Sequence, residues 1–377
     1  MEPPRPSEID PALFEENDRT APSTDARQFL EVGSLDCEAG GRLESVTVAY
    51  ETFGVLNSAK DNAVLVCHAL SGDSHCIGWW ERLIGPGKPI DTDRYFVIGT
   101  NALGGCQGTT GPAALAPDGS PYQTRFPAIT IGDMVEVQCR VVDHLGIARL
   151  LSVAGGSMGG MQALEWTVRK PDRVRSAWVT ASCAAHSAMQ IGFNEGARQA
   201  VMRDPKWNGG LYDPSDPPAN GLAVGRIIGH LSFLSEAAFA LKFGRRLQDK
   251  QVLDHTLATE FEVESYLNYQ GDKFAKRFDA NSLLYLTKAI DWYDLRSLAG
   301  SQSSYLFTSF TSDWLYPPHQ SAELHEMALA AGRPSRYENI DLPMGHDAFL
   351  LDGATQGSLV REFLVGQPVD RGLTDRN

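Results

Sequence analysis

No C-x-x-C pair occurs among the six cysteines, Cys37, Cys67, Cys76, Cys106, Cys139 and Cys183. That scatter carries no zinc or dithiol-redox signature, so no metal is expected, and free thiols fit a reducing cytoplasm. Long hydrophobic runs are missing too: no stretch approaches the roughly 18 apolar residues of a membrane-spanning helix, and no membrane association is expected. The N-terminus, MEPPRPSEIDPALFEENDRT, is acidic and Pro-rich and lacks the apolar segment of a signal peptide. Residues 1–24 read as a poorly ordered tail. Basic charge is scarce, with 33 Lys+Arg against 47 Asp+Glu and a net charge of −14. Such a balance excludes a nucleic-acid partner, because phosphate neutralisation needs clustered cations. Internal repeats and low-complexity segments are absent as well.

What remains is 377 residues, 42% hydrophobic and 21% charged, enough to bury a large core without disulfide or metal staples. Short apolar runs alternate with helical stretches in the first half, the pattern of an α/β domain. Strands are expected at Ser45–Phe53, Asn62–Cys67, Tyr95–Thr100, Leu150–Ala154 and Arg175–Ala181. The first largely alternates polar and apolar residues and reads as a half-exposed antiparallel strand. The runs VLV and FVI are continuous and read as buried parallel strands. Between them and the fourth strand, Ile131–Leu145 places Met134, Val137, Val141 and Leu145 on one helical face. After Cys183 helical stretches dominate (Gly192–Arg203, Gly221–Ser232, Ser235–Phe243, Val263–Phe274), and strand pattern returns at Tyr305–Phe310 and Arg336–Ile340 before a helical Gly357–Val365. The reading is a mostly parallel α/β domain over 25–185 and 296–377, split by a helical lid over 186–295.

The strongest chemical signal follows the Leu150 strand: Gly155-Gly-Ser157-Met-Gly159, then a helix running to Arg169. A sharp strand-to-helix turn strains the serine backbone, and glycine on both flanks removes the collisions that side chains would cause. The helix that follows aims free N–H groups at the site, where negative charge develops. Ser157 is the candidate nucleophile, and the backbone N–H of Met158 is one oxyanion donor. The other is expected after an early strand, in Cys67-His-Ala-Leu70-Ser-Gly-Asp, from Leu70 or its neighbour.

A serine of this kind needs a base and an acid, in the chain order Ser, Asp or Glu, His. His346, in Gly345-His-Asp347 after the last strand, stands where the base belongs. The other eight histidines, among them His68, His186 and His230, read as surface or packed residues. Asp313 directly follows the strand at Tyr305 and leaves room for one helix and one strand before His346. Asp341 and Asp347 are its rivals. By residue type alone Arg226 reads as a solvated helix charge.

Several runs together resemble the homoserine O-acyltransferase family of α/β-hydrolase-fold enzymes, from roughly Arg42 to Leu364. They include Ala49-Tyr-Glu-Thr-Phe-Gly, Cys67-His-Ala-Leu-Ser-Gly, Asn101-Ala-Leu-Gly-Gly-Cys-Gln-Gly-Thr-Thr-Gly-Pro112, Gly155-Gly-Ser-Met-Gly-Gly-Met-Gln162 and Gly345-His-Asp-Ala-Phe-Leu350. The resemblance implies acyl transfer from acyl-CoA to the hydroxyl of L-homoserine, an entry step to methionine. It implies Ser157, Asp313 and His346 as the triad, with Arg226 as the active-site arginine and Asp347 contacting homoserine. It also implies a homodimer and no cofactor beyond acetyl-CoA as co-substrate. Two departures stand out: Phe233 where many members carry tyrosine, and Gly225 where alanine is common, which predicts a looser helix. Relatives that prefer succinyl-CoA tend to carry arginine at the position of Leu315, so the apolar residue here favours acetyl. Polyanionic CoA in a −14 chain needs local cations, and Lys242, Arg245 and Arg246 are candidates. The alternatives are a succinyltransferase, a serine O-acyltransferase, an esterase of the same fold and a binding protein on an inactive hydrolase fold.

Overall fold

The computed structural model describes residues 26–367. The N-terminal tail expected over residues 1–24 lies outside them. Eight strands form the central sheet: β1 (Gln28–Glu31), β2 (Thr47–Phe53), β3 (Ala63–Cys67), β4 (Phe96–Thr100), β5 (Leu150–Gly156), β6 (Val174–Thr180), β7 (Ser304–Phe310) and β8 (Ser335–Ile340). Their order across the sheet is β1-β2-β4-β3-β5-β6-β7-β8. Strand β2 runs antiparallel to both β1 and β4, and every pairing from β4 to β8 is parallel.

The seven strand readings all correspond to strands of this sheet. Edge strand β1 was not legible, because four residues (QFLE) are too short for a period to show. Strand β2 is antiparallel, but the half-exposed reading needs correction: Val48, Ala49, Tyr50 and Glu51 are all buried. Glu51 accepts hydrogen bonds from Ser74 Oγ (2.8 Å) and pairs with His75 Nδ1 (2.7 Å), which lets a carboxylate occupy an interior position.

Helix α1 (Ile131–His144) starts on Thr130, whose hydroxyl and Asp133 form a reciprocal cap. With α2 (Met158–Arg169) it covers one sheet face. Five further helices lie between β6 and β7: α3 (Ala188–Met202), α4 (Ala219–Phe233), α5 (Glu236–Lys242), α6 (Glu262–Ala275) and α7 (Ala280–Trp292). Helix α3 begins four residues earlier than the sequence suggested, because Ser187 and Gln190 form a capping box there. Helix α7 went unread. Its Asp279 cap bonds the Ser282 N–H, and Leu283, Leu286 and Ile290 enter the main core. Gly225 faces α3 from within α4. A Cβ there would come within 3.3 Å of the Ala197 carbonyl oxygen, so its absence allows α3 and α4 to pack closely.

The C-terminal part, α8 (Pro318–Ala330), β8 and α9 (Thr355–Val365), returns the chain to the sheet. On this face Trp80 is fully buried, stacks on Trp178 (4.8 Å between centroids, 11° between planes) and donates Nε1–H to the Phe349 carbonyl (2.9 Å). Trp80 thereby links Trp178 of β6 to the segment just after His346. Trp80→Ala is expected to cost about 3–5 kcal/mol, the range for emptying a buried indole site. A denaturant-unfolding midpoint measures it, and a wild-type midpoint contradicts this account of the packing.

Candidate active site

Three close approaches build the turn that carries Ser157. Strand β5 ends at Gly156 and α2 begins at Met158, leaving Ser157 at φ 56°, ψ −126°. A positive φ at a residue with a side chain costs of order 1–3 kcal/mol and persists only when its surroundings enforce it. Here the Ser157 N–H is directed at the carbonyls of Thr180 (3.2 Å) and Ala181 (3.1 Å), while Ser182 Oγ–H donates to the Ser157 carbonyl (2.8 Å). A Cβ at Gly155 would sit 2.2 Å from the Gly159 carbonyl oxygen, and one at Gly159 would sit 2.1 Å from that of Cys67. Gly160 is pressed equally close, 2.5 Å from the Ser182 Cβ. Glycine is required at all three.

The Gly159 contact brings the end of β3 onto the first turn of α2. Met158 is the first residue of that helix, so its N–H has no partner within the helix and the positive end of the helix dipole is directed at the turn. The β3 loop is shaped by buried His68, which accepts from the Ala102 N–H at Nε2 (2.8 Å) and donates from Nδ1 to the Ala69 carbonyl (2.7 Å). Burial holds the His68 pKa below its ordinary value, consistent with a neutral structural ring. Leu70, two residues on, borders a cavity that also holds Ser157 and His346.

Asp313 and His346 meet across 33 residues of sequence. Asp313 Oδ2 lies 2.7 Å from His346 Nδ1, and both side chains are almost completely buried. The other carboxylate oxygen accepts from the backbone N–H groups of Leu315 (3.0 Å) and Tyr316 (2.8 Å). The imidazole therefore presents Nε2 away from the carboxylate. Of the rival acids, Asp341 accepts from Thr311 Oγ1 (2.7 Å) at an exposed position, while Asp347 lines the cavity beside His346.

Arg226 is not the solvated helix charge that its residue type suggested. It lines the cavity with its guanidinium between the rings of Phe274 (4.9 Å) and Phe233 (5.4 Å), and Nη1 reaches Ser71 Oγ at 3.4 Å. Cation–π contact of this kind holds a cation in a partly dry site. Phe233 loses the hydroxyl of a tyrosine but keeps the ring that Arg226 rests on. Of the three cations proposed from KFGRR, Lys242 lines the cavity, whereas Arg246 pairs with Glu262 (2.7 Å) and Arg245 lies over Phe261 (5.4 Å). Lys273 and Arg277, which the sequence reading passed over, line it as well. Their signal was available in the spacing of four along one helix-and-cap segment.

Two histidines read as bland also face the cavity, His186 and His230. His186 bonds Asp291 Oδ1 at 3.0 Å and the Tyr316 hydroxyl at 2.7 Å. No sequence period links residues 186, 291 and 316. Among the described residues, no group of three or more His, Cys, Asp or Glu is arranged to hold a metal ion.

The arrangement suits nucleophilic acyl transfer: a serine on a strained turn, a histidine oriented by a buried carboxylate, and free N–H groups beside it. Asp313→Asn keeps the shape but presents an amide to Nδ1, which favours the wrong imidazole tautomer. Cleavage of an activated acetyl ester is expected to fall by roughly three to four orders of magnitude, with the unfolding midpoint little changed. Activity within tenfold of wild type contradicts the assignment.

A family model described as the alpha/beta hydrolase fold matches residues 62–353. The chain is 52% identical to a homoserine O-acetyltransferase from Solidesulfovibrio magneticus, over 93% of both chains. Among solved structures it is similar to the homoserine O-acetyltransferase of Bacillus anthracis (TM-score 0.84, 28% identity, 90% of this chain and 98% of that one). It is also similar to esterase E22 (TM-score 0.83, 29% identity, 90% and 99%). On this evidence the chain belongs to the homoserine O-acetyltransferase family of the α/β-hydrolase fold.

Proposed function

We propose that this protein transfers the acetyl group of acetyl-CoA to the side-chain hydroxyl of L-homoserine. One observation carries the reading: a single cavity gathers Ser157 and His346 with Arg226 and Asp347. An amino-acid acceptor is a zwitterion, and a cavity that holds the nucleophile together with cationic and anionic side chains complements both of its ends. Asp347 takes the ammonium and Arg226 the carboxylate.

The cycle has two halves. His346 Nε2 takes the Ser157 proton as Oγ attacks the thioester carbonyl, and the N–H groups of Leu70 and Met158 receive the oxyanion. Each such donor is worth about 3 kcal/mol of barrier in comparable sites. The tetrahedral intermediate expels the CoA thiolate, which collects the proton from His346. Homoserine then enters, His346 removes its hydroxyl proton, and the alkoxide attacks the acetyl-serine. Ser157 Oγ leaves and recovers its proton, so the enzyme ends unchanged. Asp313 stays ionised and steadies the imidazolium in both halves.

Acetyl rather than succinyl follows from Leu315, which is buried in the cavity lining where a succinyl carboxylate needs a cation. Lys242, Lys273 and Arg277 give the acidic chain a local basic face for CoA. Val224 and Leu231, seven residues apart on α4, are exposed and support a homodimer formed through the lid helices. Free cysteines fit a cytoplasmic location. Likeness to an esterase favours one second reading, hydrolysis with water as the acceptor.

Intact-mass measurement after mixing with acetyl-CoA alone should show one acetyl group, absent in Ser157→Ala, that L-homoserine discharges as O-acetylhomoserine. Discharge at the same rate without homoserine selects the esterase reading instead. Turnover with succinyl-CoA is expected to be at least tenfold lower than with acetyl-CoA; equal or faster turnover overturns the Leu315 argument.

A further inference from the structure

Beside Ser157 lies a second histidine–aspartate pair that the cycle above does not use. His186 stands just before α3, and its ring joins Asp291 on α7 to Tyr316 in the loop after β7. Asp291 also accepts from Asn194 (2.7 Å) and from Arg198 Nη1 (2.7 Å), both on α3. His186, Asp291 and Arg198 are nearly sealed from solvent, with 4%, 6% and 2% of their side chains exposed. Burial opposes the charge on Asp291, but the donors around it hold its pKa below the ordinary carboxylate value.

An ionised carboxylate only accepts, so His186 Nδ1–H donates to Asp291, and in the neutral ring Nε2 is left to accept the Tyr316 hydroxyl hydrogen. Burial raises the Tyr316 pKa well above its ordinary value, so the phenol keeps its proton. Ser157 and Tyr316 border the same cavity, and the phenol is near enough to the serine side chain to feel its hydroxyl. With its own hydrogen committed to His186, the phenol oxygen offers Ser157 a lone pair. The Tyr316 ring meanwhile stacks on His346, 4.8 Å between centroids and 19° between planes, and its backbone N–H is bonded to Asp313. Tyr316 thus touches two members of the proposed triad and borders the cavity of the third, and no motif used above assigns it a part.

We propose that Tyr316 is a further catalytic residue, whose hydroxyl accepts the Ser157 hydroxyl and fixes Oγ facing the cavity, with His186 and Asp291 as its positioning residues. No covalent bond forms on the tyrosine. The serine hydrogen turns from the phenol oxygen to His346 Nε2 at the moment of attack, and Oγ does not have to search for its place. Because Asp291 and its partners Asn194 and Arg198 belong to the lid, the lid helices set the geometry of the nucleophile. This inference rests on Ser157 being the acylated residue.

The test is a double-mutant cycle on the full-length protein, read as the rate of Ser157 acetylation by acetyl-CoA in rapid-quench mass measurements. Tyr316→Phe keeps the stacked ring and removes the hydroxyl. It is expected to slow acetylation roughly tenfold, with KM for acetyl-CoA within about twofold and the unfolding midpoint unchanged. His186→Leu removes the acceptor, frees the phenol hydrogen to turn toward Ser157, and is expected to slow acetylation similarly. The double variant should be no slower than the slower single, and His186→Gln, whose amide oxygen accepts, should recover most of the rate. Wild-type acetylation in Tyr316→Phe overturns the proposal. So does a double variant slowed by the product of the two single effects, which means that His186 acts by packing alone. Ser157→Ala separates the two readings: persistence of acetylation in that variant removes the nucleophile assignment, whereas its loss alongside a fully active Tyr316→Phe removes only the role of the tyrosine.

Discussion

Everything in the site depends on how closely two backbones approach where Gly159 meets the Cys67 carbonyl. That contact leaves no room for a methyl group. It allows the first turn of the helix after Ser157 to lie against the end of β3, so two loops distant in sequence share one corner. The strained serine is held from the other side by the carbonyls of Thr180 and Ala181 at the end of β6. Three neighbouring parallel strands, β3, β5 and β6, therefore converge on one residue, and the rigidity of the sheet is transmitted to Oγ.

A second joint connects the helical region to the remaining catalytic loops. Gly345 has a φ of 71°, and a Cβ there would press on the backbone at Phe233, Leu234 and Ser235, where α4 ends and α5 begins. Ser235 Oγ–H donates to the Pro343 carbonyl, and Trp314 Nε1–H donates to that of Leu234 (3.0 Å). The loops bearing Asp313 and His346 are thus each bonded to the same helix junction. The helical region is thus part of the framework that positions Asp313 and His346.

Electrostatics follow the same local logic. A net charge of −14 says little about the site, because charges beyond a Debye length are screened while those lining a partly dry cavity are not. Arg226 is held over two aromatic rings, Phe274 and Phe233. Lys242 likewise places its ammonium over Tyr266, with Nζ 4.2 Å from the ring centroid. Both cations line the cavity, so its local charge differs in sign from that of the chain as a whole.

The sequence by itself determined the α/β class, seven of the eight strands of the main sheet, the strand–turn–helix around Ser157, and the residue types from which a base and an acid had to be chosen. Those features are local: periods of two and 3.6, and glycines whose necessity shows within a few residues. Tertiary structure alone decided which side chains share the cavity. Asp313 and His346 had the right order in the chain, but so did Asp341, and only the fold puts one of the two carboxylates on Nδ1. Edge strand β1 was too short to show a period, and α7 was lost among loops although its Asp279 cap was present. The surroundings of Arg226 and the His186–Asp291–Tyr316 chain were invisible for one physical reason. Their partners lie on different helices and strands, and neither hydrophobic pattern nor spacing records contacts that form only when those elements pack.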